Sequence, residues 1–325
     1  MVGVLAGTWG DGGIAMAASI EVERLVKRYR RATTNAVDGI SFAVEPGSFF
    51  ALLGPNGAGK TTTISILTTT LAPTSGGVRI AGYDAVRQAA DVRRNVGIIF
   101  QKPSLDLNLT AEENVRFHAI LYGLYPFRPS FASMPRGYRE QVERLAGLLG
   151  IADALGRPVK KLSGGMQRKL EIVRSLLHQP KILFLDEPTA GLDPQSRRNL
   201  WDYLSAIRAE SGVTLFLTTH YLEEAEQVDR ICVINSGRIV SLGTPAEVKA
   251  HLVQDYLLLD ASNRAQLRAE LCRLNIPFSE TPLFRIDAAG GAAQAVLRQI
   301  ETPLSVVRTH TPSLEDAYLE IVRPA

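Results

Sequence analysis

The feature that most constrains the fold is a glycine-rich segment between an apolar run and a helix-compatible run. The run "SFFALL" leads into "GPNGAGKT", residues Gly54–Thr61, and "TTTISILTTTL" overlaps its end. A strand, a G-x-x-x-x-G-K-[ST] loop and a helix in this order are typical of a phosphate-binding loop. Glycines let backbone N–H groups turn toward phosphate oxygens, and a helix N-terminus adds about half a positive charge. The segment predicts a nucleotide site in an α/β domain, whereas an incidental Gly-rich turn is the alternative.

Each residue type in this loop has a predicted task. Lys60 reaches the β- and γ-phosphates, and the hydroxyl of Thr61 holds Mg²⁺. The glycines supply the backbone freedom that the cradle needs. The predicted nucleotide-binding set is Gly54, Pro55, Asn56, Gly57, Ala58, Gly59, Lys60, Thr61 and Thr62.

Four short apolar runs, "SFFALL", "VGIIF", "KILFL" and "VTLFLTT", are typical of buried parallel strands. Their pattern alone does not exclude buried helix segments. Ligands of open parallel sheets bind beyond the carboxyl ends of the strands, so the residues that follow these runs are expected to share one site. Those residues are Gly54, Gln101, Asp186 with Glu187, and His220.

The strand-end residues suggest specific chemistry. Asp186 is predicted to bind Mg²⁺, directly or through water, and Glu187 to take the proton of an attacking water as general base. Gln101 is expected to contact Mg²⁺ and that water, while His220 hydrogen-bonds a phosphate oxygen and orients the base. The alternatives are two solvated acids at the end of a core strand and two satisfied polar residues at strand ends.

Composition excludes several classes of protein. A net charge of +3, from 36 basic and 33 acidic residues, is too balanced to predict a nucleic-acid partner. Cys232 and Cys272 show no metal-ligand spacing and are predicted to be free thiols. No uncharged apolar run approaches the roughly 20 residues that cross a bilayer. Residues 1–18 lack a basic region typical of a signal peptide, so we expect a disordered tail over residues 1–19 or a true start at Met16.

Strand and helix patterns divide the chain into three predicted parts. Alternating elements, beginning with the strand-turn pattern "SIEVERLVKRYR", predict a nucleotide-binding domain over residues 20–250, with an inserted helical subdomain at about 102–180. Within that subdomain "YPFRPSFASMPRG", residues 125–137, is predicted to be a loop. Residues 251–325 predict a small α+β domain with the strands "DYLLLD", "LFRID" and "LSVVRT". Its last helix, "PSLEDAYLEIV", is expected to start at a capping box formed by Ser313 and Asp316.

These motifs together resemble the nucleotide-binding subunit of an ABC transporter over about residues 20–250. The chain contains, in order, Tyr29, "GPNGAGKTT", Gln101, "LSGGMQ", "ILFLDE", "AGLD" and His220. "LSGGMQ" is the most discriminating element, because general P-loop ATPases lack it. The resemblance implies a P-loop NTPase cassette of the α/β class, with a mixed sheet core and an inserted helical subdomain. It also implies hydrolysis of ATP to ADP and phosphate, with ATP and Mg²⁺ as cofactors.

The resemblance further implies that a complete site needs two chains. In this family two cassettes stack head to tail, and the signature segment of one caps the ATP held by the phosphate loop of the other. Asp193 would lie at the seam, although locally it is only a turn acid before Pro194. Tyr29 would place its ring against adenine, although a surface tyrosine is an equally ordinary interpretation. The implied signature residues are Ser163, Gly164, Gly165 and Gln167.

Other segments resemble the daunorubicin-resistance branch of exporters, whose permease is a separate polypeptide. They include "FHAILYGL", "THYLEEAEQVDRICVINSGRIVSLGTP" and "TPSLEDAYLEIV". This resemblance implies export of a drug-like or lipophilic substrate through an integral-membrane permease, with the chain peripheral at the cytoplasmic face of the membrane. An importer ATPase and a non-transport ABC ATPase remain alternatives. The segment at residues 125–137 is longer than expected between two helices. It either shapes contact with one permease or is a tolerated surface insertion.

Overall fold

The computed structural model describes residues 18–101, 104–252, 256–280, 282–287 and 293–310, with the side chains of 250–252 and 310 left aside. The predicted last helix, with Ser313 and Asp316, lies outside these residues. So does nearly all of the predicted N-terminal tail.

A six-stranded sheet carries the four apolar runs. In spatial order, the strands are β10 (Arg238–Gly243), β9 (Arg230–Asn235), β3 (Phe49–Leu53), β8 (Thr214–Thr219), β7 (Ile182–Asp186) and β6 (Val96–Ile99). Pairing is parallel from β9 through β3, β8 and β7 to β6, and antiparallel between β10 and β9. The register places Leu53 beside Thr219 and Ile99 beside Leu185, so the carboxyl ends of four strands meet at one edge. The prediction of buried parallel strands is confirmed.

A second sheet is antiparallel and packs on the first, which the sequence pattern did not predict beyond its first strand. Its order is β2 (Val37–Val44), β1 (Ile20–Lys27), β4 (Ser75–Ile80) and β5 (Tyr83–Asp84). The rings of Phe42 and Phe50 stack across the two sheets at 5.4 Å, and Phe50 stacks on Phe216 at 5.3 Å. Each buried phenylalanine contributes about 1.5–3 kcal/mol of transfer free energy. This aromatic stack fixes the layer that supports the phosphate loop.

Helices cover the six-stranded sheet and build the inserted helical region. Within that region, α3 (Ala111–Leu121) begins at a capping box between Thr110 and Glu113. Residues 125–137 form a loop as predicted, except for a 3₁₀ turn at Phe131–Ser133 and the last two residues, which begin α4 (Arg136–Leu148). The helices are α1 (Lys60–Leu67), α2 (Ala89–Asn95), α3 (Ala111–Leu121), α4 (Arg136–Leu148), α5 (Gly164–Leu176), α6 (Pro194–Ser211), α7 (Leu222–Ala225) and α8 (Pro245–Leu252).

The C-terminal region forms a four-stranded antiparallel sheet with its own core. The order is β12 (Ser279–Glu280), β13 (Phe284–Asp287), β11 (Tyr256–Ala261) and β14 (Leu304–His310), with α9 (Arg264–Arg273) and α10 (Ala293–Leu297) between strands. The core includes Leu257, Leu271 and Phe284. The α/β cassette with an added α+β unit therefore has the predicted class. No helix within the described ranges is both long and apolar enough to span a membrane.

Candidate nucleotide site

The glycine-rich loop between β3 and α1 closes around a lysine. Gly57 and Gly59 adopt positive φ angles of 81° and 106°, where a glycine avoids steric cost. A Cβ on Gly59 would approach the Ala36 carbonyl oxygen at 2.4 Å. The Lys60 ammonium donates to the carbonyls of Gly54 and Pro55 at 2.7 and 3.1 Å. The loop therefore has the turn geometry that the motif predicts.

Lys60 is a buried cation with a distant carboxylate partner. Its side chain is 5% exposed, and Nζ lies 3.9 Å from Glu187 Oε1. Burial lowers the pKa of this ammonium, while the charges of Glu187 and Asp186 act in the opposite direction. An additional anion near Nζ would therefore stabilise the charged form of Lys60, as a phosphate would.

Three predicted catalytic residues meet beyond the carboxyl ends of β6, β7 and β8. Gln101 Nε2 donates to Glu187 Oε2 at 2.9 Å, and His220 Nδ1 lies 3.2 Å from Glu187 Oε1. The two neighbours use different oxygens of one carboxylate. Gln101 lies 86 positions and His220 lies 33 positions from Glu187 in the sequence. The parallel strands bring these side chains together, as the strand-end pattern predicts.

The backbone of Glu187 has an unusual conformation that the sequence did not indicate. Its φ of 44° lies in the left-handed region, which costs a non-glycine residue on the order of 1 kcal/mol or more. The Glu187 amide donates to the carbonyl and the hydroxyl of Thr218, both at 3.1 Å. The turn follows β7 directly and sets the direction in which the carboxylate leaves the strand.

Asp186, the preceding residue, has oxygen donors that suit a hard divalent cation. Burial raises the pKa of its carboxyl, although the Thr218 hydroxyl, which donates to Oδ1 at 2.5 Å, acts against that shift. Carboxylate, hydroxyl and amide oxygens are the ligands that Mg²⁺ prefers in proteins. Gln101 contacts Glu187 through its amide nitrogen. The amide oxygen of Gln101 takes no part in that contact. Asp186, Gln101 and Thr61, the residue after Lys60, therefore fit a magnesium site chemically.

The segment Ser163–Gly165 lies at the N-terminus of α5 and presents neutral groups. Ser163 caps the helix by accepting from the Met166 amide at 3.3 Å, and Ser163 and Gly164 are exposed. A Cβ on Gly165 would lie 3.0 Å from the Ser196 hydroxyl. Gln167 donates to the Leu162 carbonyl at 3.2 Å. Of the four expected signature residues, Ser163 and Gly164 are exposed, while Gly165 and Gln167 are half-buried.

Asp193 and Tyr29 lie beside the two halves of the site. Asp193 is the N-cap of α6 and accepts from the amide and hydroxyl of Ser196, at 2.9 and 2.5 Å, which places it near the signature segment. The Tyr29 ring is 47% exposed, and its hydroxyl lies 3.2 Å from the Thr62 hydroxyl. Tyr29 therefore adjoins the first turn of the helix that follows the phosphate loop.

Two residues near the site escaped the sequence analysis. Thr218 pairs in register with Asp186 and bonds both Asp186 and Glu187; its signal was the polar pair that ends the apolar run "VTLFLTT". Arg168 is a buried cation on α5 whose bonds reach the same strand ends. A helical projection would place it on the buried side of α5, where a charge needs partners.

Comparison with known proteins places the chain among transport ATPases. A family model described as ABC transporter matches residues 37–190. The daunorubicin/doxorubicin resistance ATP-binding protein DrrA of Streptomyces peucetius is 43% identical over 257 residues, which cover 79% of this chain and 74% of that protein. The Nod factor export ATP-binding protein I of Ralstonia nicotianae is 38% identical over 301 residues, covering 92% and 88%.

Solved structures agree with these relatives. An ATP-binding subunit of an ABC transporter superposes with a TM-score of 0.61 at 30% identity, covering 71% of this chain and 92% of that one. A dimeric, post-hydrolysis ATP-binding cassette bound to ADP and Pi also gives a TM-score of 0.61, at 25% identity and with 69% and 98% coverage.

Proposed function

The chain belongs to the ABC transporter ATP-binding family and is an ATPase, and we propose that it powers export of a drug-like or lipophilic substrate through a separate permease. The names of its relatives, which describe daunorubicin resistance and Nod factor export, favour export over the importer and non-transport alternatives. The observation that supports the proposed catalytic roles is the hydrogen-bonded set of Gln101, Glu187 and His220 beside Lys60.

In the proposed reaction, water attacks the γ-phosphate in line and Glu187 accepts its proton. Gln101 and His220 contact opposite oxygens of the Glu187 carboxylate, so they restrict its rotation from two sides. Lys60 neutralises charge on the phosphates from a site where its ammonium is already desolvated, which strengthens the interaction. The remaining loop residues, from Gly54 to Thr62, surround the phosphates, and Tyr29 contacts the adenine.

Mg²⁺ is the proposed metal cofactor. Thr61 and Asp186 would hold it, with Gln101 supplying its amide oxygen. When bound, it neutralises charge on the β- and γ-phosphates. The buried Asp186 carboxyl, whose pKa is raised by its surroundings, would remain ionised more easily beside a divalent cation.

A second copy of the chain completes each proposed site. Ser163, Gly164 and Gly165 of one chain would contact the phosphates held by Lys60 of the other, with the two chains head to tail and Asp193 at the seam. The exposed, neutral helix end supports this role, because backbone N–H groups bind anions without a lysine. The dimeric solved cassette bound to ADP and Pi supports pairing of this kind.

The inserted helical region is the proposed contact for the permease, which would hold the chain at the cytoplasmic face of the membrane. Residues 125–137 are anchored there because Arg116 donates to the Arg128 carbonyl at 2.8 Å, and the Tyr125 ring packs edge-on against Tyr138 at 5.4 Å. The anchored loop leaves Phe127 62% exposed. A fixed loop with an exposed aromatic supports a partner contact rather than a tolerated insertion.

The loop contact is tested with Phe127→Ser in the chain co-expressed with its permease. We expect less permease to co-purify, while the ATPase rate of the isolated chain is unchanged. Unaltered co-purification and transport would contradict the role of the loop.

We propose two domains, residues 20–250 as the nucleotide-binding domain and residues 251–325 as an accessory domain. The separate core around Leu257 and Phe284 supports a boundary near residue 250. The accessory domain carries none of the proposed catalytic residues.

Transport in inverted membrane vesicles tests the function. Vesicles containing the chain and its permease should accumulate a lipophilic fluorescent drug when ATP is added outside. Glu187→Gln should abolish accumulation. ATP hydrolysis without accumulation, or ATP-driven loss of drug from loaded vesicles, would contradict export while leaving the ATPase assignment intact.

A further inference from the structure

Arg168 is a buried arginine on the helix that begins at the signature segment. It lies five residues after Ser163, and 5% of its surface is exposed. Glu171, one turn later, accepts from Arg168 Nη1 at 2.9 Å and is itself buried. The pair compensates two charges that burial would otherwise destabilise. The guanidinium has further donors, and their partners determine what the residue does.

Those partners are backbone carbonyls at the ends of two catalytic strands. Arg168 Nη1 donates to the Phe100 carbonyl at 2.6 Å, Nε donates to Pro188 at 2.9 Å, and Nη2 lies 3.4 Å from the Asp186 carbonyl oxygen. Phe100 immediately precedes Gln101, while Asp186 and Pro188 flank Glu187. One planar group thus holds the backbone beside two residues of the hydrogen-bonded catalytic set.

Two more residues on the same side of α5 form hydrogen bonds with the backbone beyond Gln101. Glu171 Oε1 accepts from the Ser104 amide at 2.9 Å, and Arg174 Nη1 donates to the Ser104 carbonyl at 2.7 Å. Arg168, Glu171 and Arg174 are spaced three residues apart, so they lie along one stripe of the helix. This stripe attaches α5 to the backbone on both sides of Gln101.

The geometry of the guanidinium suits a positioning role. Its donors form a rigid planar fork, so they fix the relative positions of several acceptors at once. Hydrogen bonds from a charged donor are stronger than neutral ones, and low local polarity strengthens them further. Glu187 occupies a left-handed backbone conformation that needs support. Arg168 holds one side of this turn, while Thr218 holds the Glu187 amide.

We infer that Arg168 is a positioning residue that fixes the positions of Gln101 and Glu187 and connects them to the helix beginning at Ser163. The inference rests on the proposed function, in which Ser163 contacts nucleotide held by a second copy. Engagement of that nucleotide would fix α5, and α5 would fix the catalytic pair of its own chain. Each chain would then hydrolyse its ATP faster when its signature segment is also engaged.

Arg168→Lys is the direct test, because lysine keeps the charge opposite Glu171 but lacks the fork. We expect kcat at saturating ATP to fall about 10- to 100-fold, the size of effect that an ångström-scale misplacement of catalytic groups produces. The KM for ATP and the Kd of a fluorescent ATP analogue should stay within about threefold. The lost hydrogen bonds should lower the melting temperature, so kcat is compared at a temperature at which both proteins are fully folded. A wild-type kcat, or a fall in kcat matched by lost nucleotide binding, would overturn the inference.

Two further variants separate positioning from packing. Lys169→Met changes the next residue, whose ammonium bonds the Tyr203 hydroxyl at 3.0 Å on α6, and should retain wild-type kcat. The double variant Arg168→Met, Glu171→Leu removes both charges of the buried pair. Arg174 loses a carboxylate at 3.9 Å but keeps its bond to the Ser104 carbonyl. It should fold and bind ATP with kcat still reduced. Recovery of kcat in the folded double variant would show that Arg168 is merely structural.

A double-mutant comparison tests the connection between Arg168 and the signature segment. If Ser163 affects kcat through Arg168, Ser163→Ala should reduce kcat less in the Arg168→Lys background than in the wild type. Equal reductions in both backgrounds would contradict the connection. A wild-type chain without any Glu187-dependent ATPase would instead contradict the proposed function.

Discussion

The phosphate-loop side and the signature side of this molecule differ in how they present positive potential. Lys60 is a formal charge, 5% exposed and surrounded by carbonyls and the Glu187 carboxylate. Ser163–Gly165 are neutral, and the first two residues are exposed at the start of α5. One side therefore carries its charge within the fold, while the other presents neutral groups, backbone N–H and the Ser163 hydroxyl, at the surface.

The difference explains how each half of the proposed two-chain site can be stable in a single chain. Burying Lys60 carries a desolvation cost, so its carbonyl and carboxylate partners must come from the same chain. An exposed helix N-terminus is satisfied by water and by the Ser163 cap until a ligand replaces the water. We expect the charged half to respond strongly to substitution and the neutral half to respond mainly when two chains meet.

The largest expected effect lies on the charged side. Glu187→Gln should lower kcat on the order of 10²–10⁴, the usual contribution of a general base. ATP binding and ATP-dependent pairing should persist, because Lys60 and the loop are unchanged. Steady-state hydrolysis and size-exclusion chromatography with ATP measure both properties. Glu143→Gln, which alters an exposed carboxylate on α4, serves as the matched control. A fully active Glu187→Gln protein would remove the general base from the mechanism.

The next effect tests whether the halves belong to different chains. Lys60→Ala should weaken ATP binding by about 10- to 100-fold, as expected for loss of a charge-assisted contact. Ser163→Ala should lower kcat by about tenfold with less change in ATP affinity. A mixture of the two variants should regain part of the activity, because one site of a mixed dimer combines an intact Lys60 with an intact Ser163. No recovery on mixing, with dimers present, would favour a site within one chain.

The effect of Ser163 on helix stability must be separated from its proposed contact with nucleotide held by the other chain. Ser163→Ala removes an N-cap, which costs about 1 kcal/mol of stability. Thr110→Ala removes a comparable cap from α3 and should lower the melting temperature similarly without reducing kcat. Equal loss of kcat in both variants would mean that Ser163 acts only through stability.

The smallest expected effect concerns the exposed ring on the charged side. Tyr29→Ala should weaken ATP binding by about 1 kcal/mol, or about fivefold, the low end for stacking a base on an aromatic ring, because this side chain is 47% exposed. Tyr29→Phe should bind ATP almost normally, because it keeps the ring and loses only the hydroxyl contact to Thr62. Titration with ATP and with GTP measures the contact. Unchanged affinity in Tyr29→Ala would leave Tyr29 as a surface residue.

The fold was predictable where the pattern was local and strongly apolar. The four buried parallel strands and the three helices α3, α4 and α5 follow from composition and period. The antiparallel sheet was predictable only at its first strand, because β2, β4 and β5 are short or interrupted by glycine and polar residues. Phe42 shows the difficulty, since its stacking on Phe50 depends on contact between two sheets.

The site was predictable in membership but not in geometry. Strand ends identified Gln101, Glu187 and His220, and the distances place them together. The bond from Gln167 to the Leu162 carbonyl and the left-handed backbone of Glu187 had no sequence signal.

By itself, the sequence determined which residues carry charge, which runs must be buried and where the backbone needs glycine, because these properties belong to single residues and near neighbours. Only the tertiary structure decided that Arg168 reaches Phe100 and Pro188 and that Thr218 holds Glu187. Such contacts join segments far apart in the chain, and a buried donor takes whichever acceptor the packed strands bring within reach.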